Sequence, residues 1–289
     1  MCVLLILGAA PVVAQQPDQA ATPAPSQAKP QQQPPPPDPY FLEDGGLSIE
    51  PIYWLNHAQP LLYGGAQATG PDNLNYPGNS NNGIGGELGV PAGRANTLRF
   101  SYFRVQGNAN TTETQPSVSI FGEGYAAGDY LVSSYTLQNA KISWDYLGYT
   151  WHKKSGDIRL KTLYEVQFDT ISTNVSAPFK PVTTDSSGNT DYNAASGSKN
   201  LIYPTFGLEL EERLNHYFRW EVKASGFGIP HHAGIWDAQA SLAFRIKSAE
   251  LLAGEKAYHF KTSPQGVEYF ADTLSGAYVG IRYYWGKTE

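Results

Sequence analysis

"GAYVGIRYYW", residues 276–285, alternates along its length: Ala277, Val279, Ile281, Tyr283 and Trp285 on one side, Tyr278, Gly280, Arg282 and Tyr284 on the other. Successive side chains of an extended chain point to opposite faces, so this stretch reads as a strand with one wholly apolar face and one polar face. The solvent that the apolar face meets decides the fold.

The same alternation recurs upstream. In "DIRLKTLYEVQFD", 157–169, Ile158, Leu160, Tyr164, Val166 and Phe168 oppose Arg159, Lys161, Glu165, Gln167 and Asp169. Phe218, Trp220, Val222 and Ala224 oppose Arg219, Glu221 and Lys223, and Trp236, Ala238, Ala240, Leu242 and Phe244 oppose Asp237, Gln239, Ser241 and Arg245. Ile142, Trp144 and Tyr146 oppose Lys141, Ser143 and Asp145. The pattern predicts about ten strands, near 46–55, 83–90, 96–107, 130–147, 157–171, 200–212, 216–228, 235–247, 250–261 and 275–286. Connections between them alternate. Long ones rich in Gly, Asn, Ser and Thr, such as 56–82 and 172–199, take turns with short ones such as "PAGRA", "RLNH" and "KSA".

Composition points the same way. Aromatic residues make up 13% of the chain and charged residues only 16%, against about 25% in an ordinary soluble domain. No apolar run reaches the 18 residues or so of a membrane helix, and a formal net charge of −6 argues against a nucleic-acid surface. The stretch "MCVLLILGAAPVVAQ" closes on small residues and predicts a signal peptide over 1–14, although no Lys or Arg precedes Lys29. Residues 15–39, rich in Pro and Gln, read as a disordered linker able to make periplasmic contacts, and 40–289 as the folded domain. Cys2, the only cysteine, falls in the predicted leader, so the mature chain has neither disulfide nor thiolate chemistry.

Long and short connections alternating between strands of about ten residues resemble the bacterial outer-membrane β-barrel proteins of small to medium size. The final strand, 276–285, resembles the signal that the barrel insertion machinery reads in that class, with Gly286, Lys287, Thr288 and Glu289 following where those proteins usually stop on an aromatic. The resemblance implies an all-β fold: a closed antiparallel up-and-down transmembrane β-barrel of about ten strands, with eight or twelve as alternatives. It also implies residence in the outer membrane of a Gram-negative-type bacterium, among its lipids.

In such a barrel the polar faces line the lumen. The expected set is Glu50, Glu87, Arg99, Lys141, Asp145, Arg159, Lys161, Glu165, Glu209, Glu211, Arg219, Glu221, Lys223, Asp237, Arg245 and Arg282. Trp144, Tyr164, Phe168, Trp220, Trp236, Phe244, Tyr283 and Trp285 are expected to face lipid or the interfacial belts, as are Tyr53, Trp54, Tyr149 and Trp151 at strand ends. Long charged side chains in a barrel of this width predict a largely filled lumen, serving a structural or surface-interaction role or a weak passage for small solutes. One strand fits badly: in 250–261 Lys256 shares a face with Leu252, Tyr258 and Phe260, which predicts a bulge or a register slip.

Enzymatic chemistry has a thin basis. His231 and His232 in "GIPHHAG", near Asp237 and Asp169, offer a general base at a rim, as in a protease or lipid A-modifying barrel, but exposed loop histidines explain them equally. No metal-ligand spacing, cofactor motif or nucleophile elbow is present. The competing architecture is a soluble exported β-sandwich or ligand-binding barrel, with the apolar faces inside and the charges in water.

Overall fold

The computed structural model describes residues 46–57, 61–64, 73–75, 81–93, 95–113, 117–121, 123–153, 156–184, 186–188, 190–191, 193–229, 233–263 and 268–286. The predicted leader and linker, 1–14 and 15–39, lie outside the described residues, as do His231 and His232.

Ten antiparallel strands form the wall: β1 (Gly46–His57), β2 (Gly83–Pro91), β3 (Thr97–Thr112), β4 (Tyr130–Lys153), β5 (Gly156–Ser176), β6 (Ala194–Arg213), β7 (Phe218–Gly228), β8 (Gly234–Ile246), β9 (Ala249–Lys261) and β10 (Glu268–Gly286). Each pairs with its sequence neighbour, and β10 returns to pair with β1 from Gly46↔Gly286 to His57↔Ser275. The sheet is thus a closed ring with every strand paired on both sides. That closure satisfies the backbone amides without water, which is the condition for standing in hydrocarbon. The β1–β10 seam is tight: a Cβ on Gly276, at φ +155°, would lie 2.0 Å from the Leu55 carbonyl oxygen, so only glycine fits.

Short turns join β2 to β3, β4 to β5, β6 to β7 and β8 to β9 at the end where β1 begins and β10 finishes. This is the periplasmic end of an up-and-down barrel. At the other end lie the small pairs Ser117–Ile120 with Glu123–Ala126 and Thr183–Thr184 with Thr190–Asp191, and the strands Leu61–Gly64 and Asn73–Asn75, which extend the sheet beside β10.

Several strands run well past the length needed to cross a bilayer. β4 has 24 residues, β5 has 21 and β6 has 20. Much of 108–112, 172–176 and 194–199, expected as loop, is strand. Its Ser, Thr and Asn keep the two-residue period, so the ladder continues into water where polar side chains suit the outer face.

Over this extra length both faces of the wall change character. On β3 the outward side chains are Leu98, Phe100 and Tyr102, followed by Arg104, Gln106, Asn108 and Asn110. The inward ones are Thr97, Arg99 and Ser101, followed by Phe103, Val105, Gly107 and Ala109. β4 and β5 switch at the same level: Tyr146, Trp144 and Ile142 outside give way to Gln138, Thr136 and Ser134, and Phe168 gives way to Thr170, Ser172 and Asn174. The membrane section has charges inside and hydrocarbon-compatible groups outside, whereas the upper section has an apolar core and a polar coat.

That core joins Phe103, Val105, Leu131, Leu137, Ile171, Val175, Phe260, Phe270 and Leu274 with Tyr125 from the Glu123–Ala126 strand. Tyr125 donates its hydroxyl to the Val175 carbonyl at 3.2 Å. Phe121, at the tip of the same hairpin, stacks on Phe270 at 6.2 Å and fills the space that a side chain at Gly197 would occupy. This hairpin therefore packs its aromatic side chains into the extracellular end of the barrel.

Candidate functional site: the charged lumen

The membrane section is short in water-compatible volume and rich in charge, so each ion needs a counter-ion within reach. Strand alternation supplies them from facing walls. Arg282 of β10, 1% exposed, bonds Glu50 of β1 at 2.5 Å and Glu221 of β7 at 3.2 Å, with Glu250 of β9 at 3.7 Å. Arg219 spans Glu211 at 3.0 Å, Glu221 at 2.8 Å and Glu250 at 2.7 Å. Lys161 sits between Glu209 at 3.2 Å and Glu211 at 3.0 Å, and Arg159 approaches Glu211 at 3.6 Å. Arg99 bonds Asp145, and Glu87 at 2.6 Å, while Lys223 reaches Glu87 at 3.4 Å. Glu209, Glu211 and Glu221 come close enough to hold a cation together, but Lys161, Arg99, Arg219 and Arg282 already neutralise them.

Higher in the lumen the centre is Asp237, which accepts from Lys141 at 2.9 Å and Lys256 at 2.8 Å. Lys141 also pairs with Glu165 at 3.3 Å, and Glu165 accepts from Ser225, Thr205 and Gln167 at 2.5, 2.9 and 3.3 Å. Asn139 and Tyr258 both donate to Asp169, at 2.9 and 2.5 Å. Lys256 lies 5.8 Å from the Trp54 ring and 5.3 Å from the Phe103 ring, where the charged section gives way to the aromatic one. A cavity of about 20 Å³ among Glu87, Lys141, Lys223, Asp237 and Lys256 is the size of a single water.

All sixteen residues expected in the lumen point inward. Arg245 stands apart from the networks, at the periplasmic rim, where it donates to the Lys247 carbonyl at 3.2 Å. Asp169 was absent from the expected set, as were two ion-pair partners, Glu250 and Lys256. The even numbers of Glu250 and Lys256, continuous with Arg282 through the Glu250↔Arg282 pair, carried the signal. The expected bulge in 250–261 is not found. β9 pairs without interruption to both neighbours, and Leu252, Lys256, Tyr258 and Phe260 are all buried inside. A lysine beside two aromatics marks the level at which the interior turns apolar.

Trp144, Tyr164, Phe168, Trp236, Phe244, Tyr283 and Trp285 are outward and 38–50% exposed, and Trp220, outward and half-buried, donates to Glu212 at 3.1 Å. Trp54, expected in a belt, is instead 1% exposed and inward, donating to the Gly276 carbonyl at 3.2 Å across the seam. Its odd-numbered neighbours Tyr53 and Leu55 take the lipid side. Tyr149 and Trp151 face outward near the periplasmic end, past the irregularity between Leu147 and Tyr149.

Above the membrane section, Asp272 is a buried carboxylate of a different kind. The outward apolar run of β10 ends at Ala277, and Asp272 lies beyond it, opposite Phe260. Its Oδ1 accepts the Thr273 amide at 2.7 Å, and its Oδ2 has no partner among the described residues. Burial pushes its carboxyl up to about 7.

No protein-family model and no curated protein matches the chain. Among solved structures it is similar to the outer-membrane protease OmpT of Escherichia coli, with a TM-score of 0.53 at 8% identity over 84% of this chain and 97% of that one. A weaker similarity, TM-score 0.35 at 11% identity over 83% of this chain and 99% of the other, is to the attachment invasion locus protein Ail of Yersinia pestis. The fold is that of the bacterial outer-membrane β-barrels, and its apolar band places it among membrane lipids.

Proposed function

We propose that this barrel is a closed scaffold of the outer membrane rather than a conduit, carrying a rigid polar extension above the lipid surface for structural or surface-interaction roles. The single observation that carries this reading is the cross-lumen ion network, above all Arg282 reaching Glu50, Glu221 and Glu250 from three other strands. An ion crossing the lumen would have to break such pairs, each costly to leave uncompensated. The apolar core and the Phe121–Tyr125 hairpin in the upper section support the same reading, because a hydrophobic plug admits no hydrated ion.

The role assigned is non-enzymatic. The barrel inserts through recognition of 276–285 by the insertion machinery, and the Pro/Gln-rich segment reaches periplasmic partners. Planar-bilayer recording of the refolded full chain tests the closure: no current above background is expected, and discrete steady openings would refute it. Unchanged peptide and lipid A turnover after His231→Ala and His232→Ala is expected, and lost turnover would assign an enzyme.

A further inference from the structure

The outer wall of β3–β6 above the membrane section carries a face of unusual chemistry. The registers set Arg104, Gln138, Thr170 and Asn200 side by side as one outward row. The next row up is Gln106, Thr136, Ser172 and Ser198, and the one above it Asn108, Ser134, Asn174 and Ser196. Every member is exposed or half-exposed. Apart from Arg104 each side chain is a neutral hydroxyl or amide, and these rows hold neither a carboxylate nor a large apolar group.

A surface that only had to stay in water would be expected to mix charges of both signs. Rows of hydroxyl and amide groups instead offer donors and acceptors together at every position. They repeat at about 4.8 Å across the strands and nearly 7 Å along them. Some are held in place by their neighbours: Gln106 donates to Thr136 at 3.3 Å, and Thr170 to Asn200 at 2.9 Å. A pre-ordered array of this kind suits a partner covered in hydroxyls, and the lack of carboxylates together with Arg104 tolerates phosphate on that partner.

Position selects the source. Immediately below the Arg104 row stands Tyr102, Ala140, Phe168 and Ile202, the last outward row of the lipid-facing band. Tyr102, Phe168 and Ile202 are 44%, 44% and 65% exposed. The polar face is therefore continuous with the surface that meets acyl chains, and it rises from the level where those chains end. A molecule whose tails lie against Phe168 and Ile202 would lay its head group on these rows.

We infer that this face binds the phosphorylated sugar head of an outer-leaflet glycolipid, so that a single lipid is held by acyl contacts below and by the hydroxyl–amide array above. The inference needs the membrane placement of the barrel but not a closed lumen, so conductance bears on the one and not on the other.

The test uses the full chain and a four-site variant, Ser134→Asp, Ser172→Asp, Asn174→Asp and Ser198→Asp, which adds negative charge to exposed positions and leaves the core untouched. Both are refolded into phosphatidylcholine vesicles, into the same vesicles carrying lipid A without core sugars, and into vesicles carrying lipopolysaccharide with a phosphorylated core. The readouts are the heat-unfolding midpoint on gels and the glycolipid retained on purification. The native chain is expected to unfold at a higher temperature with the sugar-bearing lipid than in either other membrane, and to retain it. The variant is expected to match the native chain in phosphatidylcholine and to lose both the shift and the retention. A variant that keeps the shift overturns the inference. So does an equal shift with lipid A alone, or with free core oligosaccharide at matched concentration, or a phosphatidylcholine-borne dimer that the variant abolishes.

Discussion

Two sections of one wall solve opposite problems with the same strands. Between Leu98 and Tyr102 on β3 the outside is apolar and the inside holds Arg99, whereas between Phe103 and Ala109 the inside is apolar and the outside holds Arg104, Gln106 and Asn108. Nothing in the backbone ladder changes at the boundary, because β3 and β4 pair without a break from Thr97↔Asp145 to Thr112↔Tyr130. The medium changes instead. In lipid the outward face must be greasy and the lumen carries the polar groups, whereas above the lipid the outward face meets water and the lumen can be a hydrophobic core. The soluble-barrel alternative that the sequence leaves open is thus realised, but only in the upper part of the molecule.

The comparison can be broken most severely from the charged side. Arg282→Met removes the ion-pair partner of Glu50, leaves Glu221 and Glu250 to Arg219, and should cost about 3–5 kcal/mol, measured as a lower denaturant midpoint in detergent or vesicles. Stability equal to the native chain would show that the lumen is hydrated enough not to need the pair. In the upper section Leu137, fully buried, should lose about 3 kcal/mol on truncation to Ala. A loss below about 1 kcal/mol would mean that this interior is not packed as a core.

Outward substitutions read the boundary directly. Ile281→Arg, in the lipid band, is expected to cost about 2–4 kcal/mol, while Ser172→Arg, on the upper wall, should stay within about 0.5 kcal/mol. Similar penalties at the two sites would erase the distinction between the sections. A subtler effect comes from Asp272. Burial holds its folded carboxyl up at about 7, above its unfolded value, so the part of the stability that Asp272 contributes is fully present below about pH 4 and is lost as pH rises through 7. Asp272→Asn should therefore exceed the native chain by about 1–3 kcal/mol above pH 7 and match it below pH 4. A pH-independent difference would place the titrating group elsewhere.

The strands and the membrane section were legible because two-residue alternation is a strong signal when one face is almost wholly apolar, as from Ile158 to Phe168, broken only by Thr162, or from Ala277 to Trp285. The upper section was hidden for the same reason. Residues 171–176, "ISTNVS", alternate Ile171, Thr173 and Val175 with Ser172, Asn174 and Ser176, but such small and polar side chains read as loop unless the ladder above the lipid is foreseen. Trp54 was misplaced because a tryptophan near a strand end suits an interface, and only the register that sets it opposite the inward Tyr278 shows that it faces inward. Lys256 held the missing clue. Its company of Tyr258 and Phe260 looked like a slipped register, yet it records the height at which the interior exchanges ions for rings. The ion-pair partners themselves come from across the ring, and no local pattern specifies them.

The seam between the first and last strands carries a consequence for assembly. Arg282 and Glu50, 232 residues apart, meet only when the end of the chain clasps its beginning. Until that latch closes, Glu50 and Glu221 lack the guanidinium that joins them, and the edges of β1 and β10 offer unpaired amides to any neighbouring chain. Maturation should therefore be late and concerted, governed by the arrival of 276–285 rather than by stepwise growth from the first hairpin.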